Sequence, residues 1–314
     1  MKMTNQTYEN KKKMSAKRVV FILSFVILPT INFLIFYVFV NVNSFVMAFL
    51  KTIDGRTMFT LDNFTMFFSE LSKKTSLIRQ AFRNTSITFL VNEVMFVVGF
   101  FVSFFLYKKI AGHRFFKIVF MLPSIIAGTI VASVFTTFVG VEGPIVKLMK
   151  LFKEYEFVPE LLADSDYANK TILANLIWLS FPGSLVIWSG TFSRIPESVI
   201  ESGKLDGVSW LKEAIYLVIP LVWPTFALQF LLTICGFFGA SGQVFLLTRG
   251  ESGTMTLSAW MYLQVLDNKA EAMNNSNAFN YLSAVGLMLT TVSIIVTVFI
   301  RKYTNRAFGG GVQY

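Results

Sequence analysis

Long apolar runs alternate along this chain with short polar, charged ones, and six of the apolar runs are long enough to cross a bilayer. They fall at about Val19–Val42, Asn84–Leu106, Ile118–Val139, Thr171–Phe192, Ala214–Gly242 and Ala278–Ile300. A helix needs about 20 predominantly apolar residues to span hydrocarbon roughly 30 Å thick. A water-soluble core of this size would show apolar stripes on otherwise polar helices, and these runs are apolar all round. The pattern predicts an all-α, polytopic membrane protein with six transmembrane helices. It divides the chain into a polar N-terminal segment, 1–18, a six-helix membrane domain, 19–300, and a tail, 301–314. The first run follows Lys11, Lys12, Lys13, Lys17 and Arg18, as a secretory leader would. Its length, Pro29 and the lack of a small-x-small cleavage site predict an uncleaved first helix instead.

Three connecting segments carry information. Segment 43–83 contains Thr60-Leu61-Asp62-Asn63-Phe64. Segment 140–170 mixes Lys147, Lys150 and Lys153 with Glu154, Glu156, Glu160, Asp164 and Asp166, and predicts one or two short interfacial helices. Segment 193–213 predicts a helix of its own. Pro196 suits a first helical turn, and Glu197 and Glu201 stand near the positive end of the helix dipole. Gly207 suits the positive φ of a helix stop, after which a second short helix leads into the fifth run. Val199, Ile200, Leu205, Val208, Trp210 and Leu211 give the segment an apolar face. Such a face fits either docking to a protein or lying on the membrane surface.

Composition agrees with the pattern. Hydrophobic residues are 54% of the 314, aromatic residues 16% and charged residues 15%, against about 25% charged in soluble domains. The formal charge of +10 is unevenly spread. Six spans leave both termini on one side. If that side is the cytoplasm, Lys and Arg are roughly twice as dense in segments 1–18, 107–117, 193–213 and 301–314 as in the opposite loops. The basic balance then reads as membrane topology and contact with anionic lipid heads, and needs no nucleic acid. The GxxxxGK[ST] phosphate loop is missing. Cys235 and His113 are the only residues of their kinds, which excludes an intrachain disulfide and a His/Cys metal cluster. Cys235 lies within an apolar run and reads as a small buried hydrophobe.

Polar residues inside the spans are the remaining candidates. Gln229, Thr233 and Gly236 share one helical face of the fifth span, with Phe237 beside them. Asn175, Ser180 and Gly183 lie near Trp178, Phe181 and Trp188 in the fourth. These groups suit a path for a hydroxylated solute, and equally suit helix–helix packing, where small and hydroxyl residues are ordinary. Glu93 stands in mid-span, where an ionised acid costs about 2.5–3.5 kcal/mol. It must face protein or water or hold a proton. A partner contact, a gating role, or a buried acid beside Thr88 or Ser86 all remain open.

The segment around residue 200 resembles the signature loop of binding-protein-dependent ABC importer permeases, which reads Glu-Ala-Ala, then Gly, then Ile-x-Leu-Pro. Here Glu201-Ser202-Gly203 stands at the first triplet, Asp206-Gly207 follows, and Leu217-Val218-Ile219-Pro220 closes it. Ile195-Pro196-Glu197 before it is also typical. Ser202 and Gly203 replace the two alanines with other small residues. The resemblance extends over most of the chain. Phe82-Arg83-Asn84-Thr85 is similar to the start of the second span, the run Phe116 to Pro123 to the third, and Trp178 with Phe181-Pro182 to the fourth. Leu246-Leu247-Thr248-Arg249-Gly250 and the run Thr256 to Tyr262 resemble the outer loop of carbohydrate permeases akin to the larger maltose-transporter permease. The usual Gly-Gly-Pro after the Leu-Thr pair is missing.

The resemblance implies the type I importer permease fold in a bacterial plasma membrane, with both termini cytoplasmic. It implies a transporter subunit without catalytic residues, forming half of a sugar path. Its partners would be a second permease, two ATPase subunits that take the ATP and magnesium, and an extracellular solute-binding protein. Glu201, Ser202, Gly203, Leu205, Asp206, Gly207 and Val208 are the expected ATPase-coupling residues. The expected substrate path is Asn175, Trp178, Ser180, Gly183, Gln229, Thr233, Gly236 and Phe237. No cofactor and no metal are expected on this chain. The same machinery could move a glycerol phosphodiester, a polyol or another small polar solute. An integral membrane enzyme would need acids, histidine or a nucleophile clustered at a membrane face. An ion-coupled carrier would need paired intramembrane acids, and Glu93 is alone.

Overall fold

The computed structural model describes residues 16–152, 159–239, 242–271 and 276–307. Most of the N-terminal segment, Lys153, Glu154, Glu156 and the end of the tail lie outside them. Among the described residues, six helices are long and apolar enough to cross a membrane: Val20–Ala48, Leu77–Tyr107, Gly128–Phe152, Ser165–Phe192, Trp210–Cys235 and Asn277–Lys302.

The chain divides into two compact units. The first comprises, of the described residues, 16–63 and 276–287. In it α1 (Ala16–Asn32) runs through a π-helical stretch, Phe33–Phe39, into α2 (Val40–Ala48). An antiparallel hairpin follows, β1 (Leu50–Ile53) and β2 (Arg56–Phe59), in register Leu50 to Phe59 and Ile53 to Arg56. This hairpin is absent from the all-α expectation. Asp54 and Gly55 form its turn with φ of 49° and 76°, and Asp-Gly is a pair that tolerates two positive φ values in succession. Asn63 Nδ2 donates to the carbonyls of Ala48 and Leu50, both at 3.0 Å, and closes the hairpin onto α2. Thr52 exchanges two hydrogen bonds of 2.7 Å with the side chain of Asn277.

The second unit comprises residues 64–275 and 288–314. α3 (Asp62–Ser72) leads to α4 (Leu77–Tyr107), capped by Ser76, whose hydroxyl accepts from Ile78 N. Then come α5 (His113–Ile125), α6 (Gly128–Val139), α7 (Pro144–Phe152) and α8 (Ser165–Phe192). The run expected to be one span, Ile118–Val139, is broken. Ile126 and Ala127 take extended backbone angles, so α5 stops and α6 restarts at Gly128. The short helix expected within 140–170 is α7. α4 and α8 pack along their lengths. At Gly99 a Cβ would overlap Ser184 Oγ, so only glycine allows the two helices to come this close.

α9 (Glu197–Leu205) and α10 (Trp210–Lys212) form the segment expected to be helical. α9 has nine residues, about two and a half turns. Pro196 is its N-cap, one position before the first turn. A π-helical stretch, Glu213–Val218, leads into α11 (Ile219–Cys235). α11 ends short of the expected Gly242, because Gly236 caps it and Phe237–Gly239 turns as a 3-10 helix. Cys235 is exposed, not buried as its apolar run implied, with Sγ 3.4 Å from Thr297 Oγ1. α12 (Gly242–Leu247), α13 (Leu257–Glu271) and α14 (Ser276–Ala307) complete the chain.

Candidate functional site

At the α9 end of the second unit, aromatic residues do the packing. Phe100 and Phe104 of α4 meet Trp188 and Phe192 of α8, with Phe100 edge-on to Trp188 at 4.9 Å between centroids. Ile200 of α9 and Ala214, Val218 and Val222 leading into α11 close the same cluster. Edge-to-face contacts of this kind add roughly 0.5–1.5 kcal/mol per pair beyond area burial. The underside of α9 is thereby fixed to three spans.

α9 also seats closely on the stretch before α11 at Gly203, which is buried. A Cβ there would come 2.6 Å from Leu217 Cδ1, so the leucine occupies the space an alanine would take. The chain then reverses at Gly207, with φ of +69°, in the left-handed region that glycine adopts without penalty. Val208 N donates to the carbonyl of Gly203 and Glu213 N to that of Ser209, which locks the reversal.

The upper face of α9 is free. Glu201, Ser202, Asp206 and Gly207 are exposed, Val208 is half-buried, and Leu205 is 88% exposed. Of the residues expected to couple, Gly203 faces inward while Glu201, Ser202, Leu205, Asp206 and Gly207 face outward.

Sequence reasoning missed one residue here. The Glu213 carboxylate pairs with Lys108 Nζ at the end of α4. The Glu213 side chain is only 3% exposed, and Lys108 also lies 5.6 Å from the centre of the Phe104 ring. The pair links α4 to the first turn after α10. The visible signal was an acid placed just before an apolar span. The partner, 105 residues earlier, had no signal.

Further along the bundle, a cavity of about 460 Å³ opens between α4, α8 and α11. Ser180, Gln229, Thr233 and Gly236 line it, four of the expected path residues, together with Asn92, Ser184, Phe96 and Trp188. The other expected residues lie elsewhere. Asn175 is fully buried, and neither its Oδ1 nor its Nδ2 has a hydrogen-bond partner. Trp178 stacks on Phe135 at 6.2 Å, and Gly183 has open space where a Cβ would stand. Phe237 lines a separate apolar cavity of about 360 Å³ with Phe89, Phe238 and Met288. Of the described residues lining the 460 Å³ cavity none is charged, and Glu93, next to Asn92 in the chain, is not among them. Both Glu93 carboxylate oxygens are buried without a hydrogen-bond partner. Ser86 and Thr85, by contrast, bond to carbonyls in their own helix.

At the opposite end from α9, the segment from Arg249 to Leu257 is pinned down. Asn84 Nδ2 donates to the carbonyls of Gly253 (2.7 Å) and Met255 (2.9 Å), and Asn169 Nδ2 donates to Gly253 (3.0 Å). Leu257 N donates to Thr85 Oγ1 at 2.9 Å. Together with α4 and α8 this segment encloses a further cavity of about 310 Å³. No cluster of three or more metal-ligating side chains occurs among the described residues.

No protein-family model matches the chain. The arabinooligosaccharides transport system permease protein AraP of Bacillus subtilis (strain 168) is 20% identical over 289 residues, covering 90% of this chain and 87% of that protein. The probable ABC transporter permease protein YesP of the same organism is 22% identical, covering 78% and 77%. The maltodextrin transport system permease protein MdxF, again from that organism, is 23% identical over 64% of this chain and 47% of its own length. Among solved structures, a chain of a bacterial alginate ABC transporter in complex with alginate pentasaccharide-bound periplasmic protein superimposes with a TM-score of 0.75 at 17% identity. It covers 94% of this chain and 98% of its own. A second structure, of a bacterial ABC transporter involved in the import of the acidic polysaccharide alginate, gives the same TM-score and identity. The relatives are thus transport-system permeases, two of them named for oligosaccharides, as the resemblances around residue 200 and over residues 246–262 implied, and the fold is that of an ABC importer permease.

Proposed function

We infer that this multi-pass membrane chain, with its importer-permease fold and sugar-permease relatives, forms half of the translocation path of an ATP-driven sugar importer. It is worked from the cytoplasmic face through α9, and both termini lie on that face. Two ATPase subunits take the ATP and magnesium, a second permease supplies the other half of the path, and an extracellular binding protein delivers the solute.

One observation carries the reading: α9 is anchored beneath and bare above. Ile200 joins it to the aromatic core and Gly203 seats it against Leu217, while Leu205 offers an apolar knob flanked by Glu201 and Asp206. An apolar side chain so exposed on a rigid, polar-rimmed projection fits a cleft on another protein. Force applied at Leu205 passes through Ile200, Ala214 and Val218 and through the Lys108–Glu213 pair to α4, α8 and α11. Closely packed cores shift as bodies and do not deform continuously. The movement would open the 460 Å³ cavity to alternate sides. There Asn92, Ser180, Gln229 and Thr233 supply donors and acceptors for hydroxyl groups, between the aromatic walls of Phe96 and Trp188.

The test is reconstitution with the partner permease, ATPases and binding protein. Leu205→Cys, in a Cys235→Ser background, should crosslink to an ATPase subunit, and the assembly should accumulate arabinotriose or maltotriose only with ATP. A Leu205→Cys chain that reacts only with lipid-borne reagents, or uptake that ignores ATP, defeats the reading.

A further inference from the structure

The cavity of about 310 Å³ at the end opposite α9 is not needed by the function above. Thr256 lines it, is 1% exposed, and its Oγ1 has no hydrogen-bond partner. A buried hydroxyl left unpaired costs about 1–3 kcal/mol, so this one, on a cavity wall, calls for a partner.

The wall is also rigid. Arg249, Gly250, Ser252 and Gly253 all have φ between 53° and 82°, and Asn84 and Asn169 clamp the turn through its carbonyls. Ser252 Oγ adds a bond to the carbonyl of Ala163 at 2.7 Å. A preformed wall loses little freedom on binding.

We propose that this cavity is a second solute subsite, a waiting position for a neutral, polyhydroxylated solute ahead of the mid-membrane cavity. The proposal rests on the sugar-importer reading and extends it. The chemistry of the lining selects the class. Arg83 and Lys170 are donors, Asp166 is an acceptor, and the hydroxyls of Ser165 and Thr256 are both. An anion would meet Asp166, and a cation would meet Arg83 and Lys170. A sugar hydroxyl, which both donates and accepts, uses all of them. Ile87 and Leu173 offer apolar surface for the C–H face of a ring.

The position fits a sequence of two steps. On α4, Thr88 lines the outer cavity and Asn92 the inner one, one helical turn or about 6 Å further along. On α8, the unpaired amide of Asn175 lies between Asn169 of the outer cavity and Ser180 of the inner one.

The experiment uses the complete reconstituted importer. Ser165, exposed at the cavity, is changed to cysteine in a Cys235→Ala background and labelled with a maleimide. The probe is arabinotriose or maltotriose, whichever the same preparation accumulates, and a trigalacturonate serves as the acidic comparison. The neutral trisaccharide should slow labelling at least threefold and the trigalacturonate should not. Thr256→Val should raise the sugar concentration needed for half protection about fivefold, as the loss of one hydrogen bond implies, and Thr256→Ser should restore it. Unslowed labelling at sugar concentrations that saturate uptake overturns the subsite and leaves the importer reading intact. Equal protection by trigalacturonate overturns the assignment to a neutral solute. Equal damage from Val and Ser overturns the role of the hydroxyl. A preparation that accumulates neither sugar defeats the importer reading itself, and the subsite with it.

Discussion

α4 and α8 each pass through two kinds of neighbourhood. Near α9 they contribute Phe100, Phe104, Trp188 and Phe192 to an aromatic core sealed by the Lys108–Glu213 pair. Away from α9 the same helices carry Asn84, Thr88, Asn92, Asn175 and Ser184, with Asn175 and Ser184 left without partners. The first neighbourhood is closely packed, which suits the unit movement that the proposed function requires. The second leaves polar groups short of bonds, which costs stability and keeps them available to a solute. One helix can thus be a stiff rod at one end and a receptive wall at the other.

The largest test of this contrast breaks the stiff end. Lys108→Met leaves the nearly buried Glu213 carboxylate without its cation and should cost about 3–5 kcal/mol. Purified protein should melt far lower, and uptake should collapse. Lys108→Met combined with Glu213→Leu should recover most of the melting temperature, since apolar pairs replace buried ion pairs well. A double variant as unstable as the single one would show that the pair is not what joins α4 to α11. Gly207→Val ranks next. Its φ of +69° costs a non-glycine residue roughly 1–2 kcal/mol, and a branched one more. Membrane abundance should stay normal while ATP hydrolysis and uptake part company, and full uptake at normal abundance would count against the lever.

At the receptive end the sign should reverse. Asn175→Leu removes two unpaired buried polar atoms and should hold or raise the melting temperature while slowing uptake. A melting temperature that falls by several degrees would mean that Asn175 is structural. The smallest effect belongs to the exposed pair of Lys51 and Asp62, 3.0 Å apart. The hydrogen bond from Lys51 holds the Asp62 carboxyl below the usual range. Its contribution is therefore present above the unfolded value of about 3.9 and fades as the pH falls through the lower folded value. Asp62→Asn should change the melting temperature little at pH 7 and less still as the pH falls through the folded value.

The spans were legible because hydrocarbon demands about 20 apolar residues in each, and α9 was legible because Pro196 and Gly207 punctuate it. Breaks and pairings were harder to read. Nothing in the apolar content of Ile118–Val139 marked the extended backbone at Ile126 and Ala127. The hairpin turn did carry its signal, Asp54-Gly55, which the surrounding apolar runs obscured. Within the candidate path, helical spacing grouped Gln229, Thr233 and Gly236, which line one cavity, but put Phe237 beside them where the chain already turns away. Spacing along one helix could not reveal that Asn92 and Ser184 complete the same wall, nor that Lys108 meets Glu213.

Leu205, standing 88% clear of its own chain, has a consequence for manufacture. On the proposed function and topology, a copy synthesised without its partners would display a greasy hook in the aqueous compartment, where quality-control proteases and holdase chaperones look for such hooks. Surplus copies should then be short-lived, and the number of assembled complexes would follow whichever proposed partner is made least.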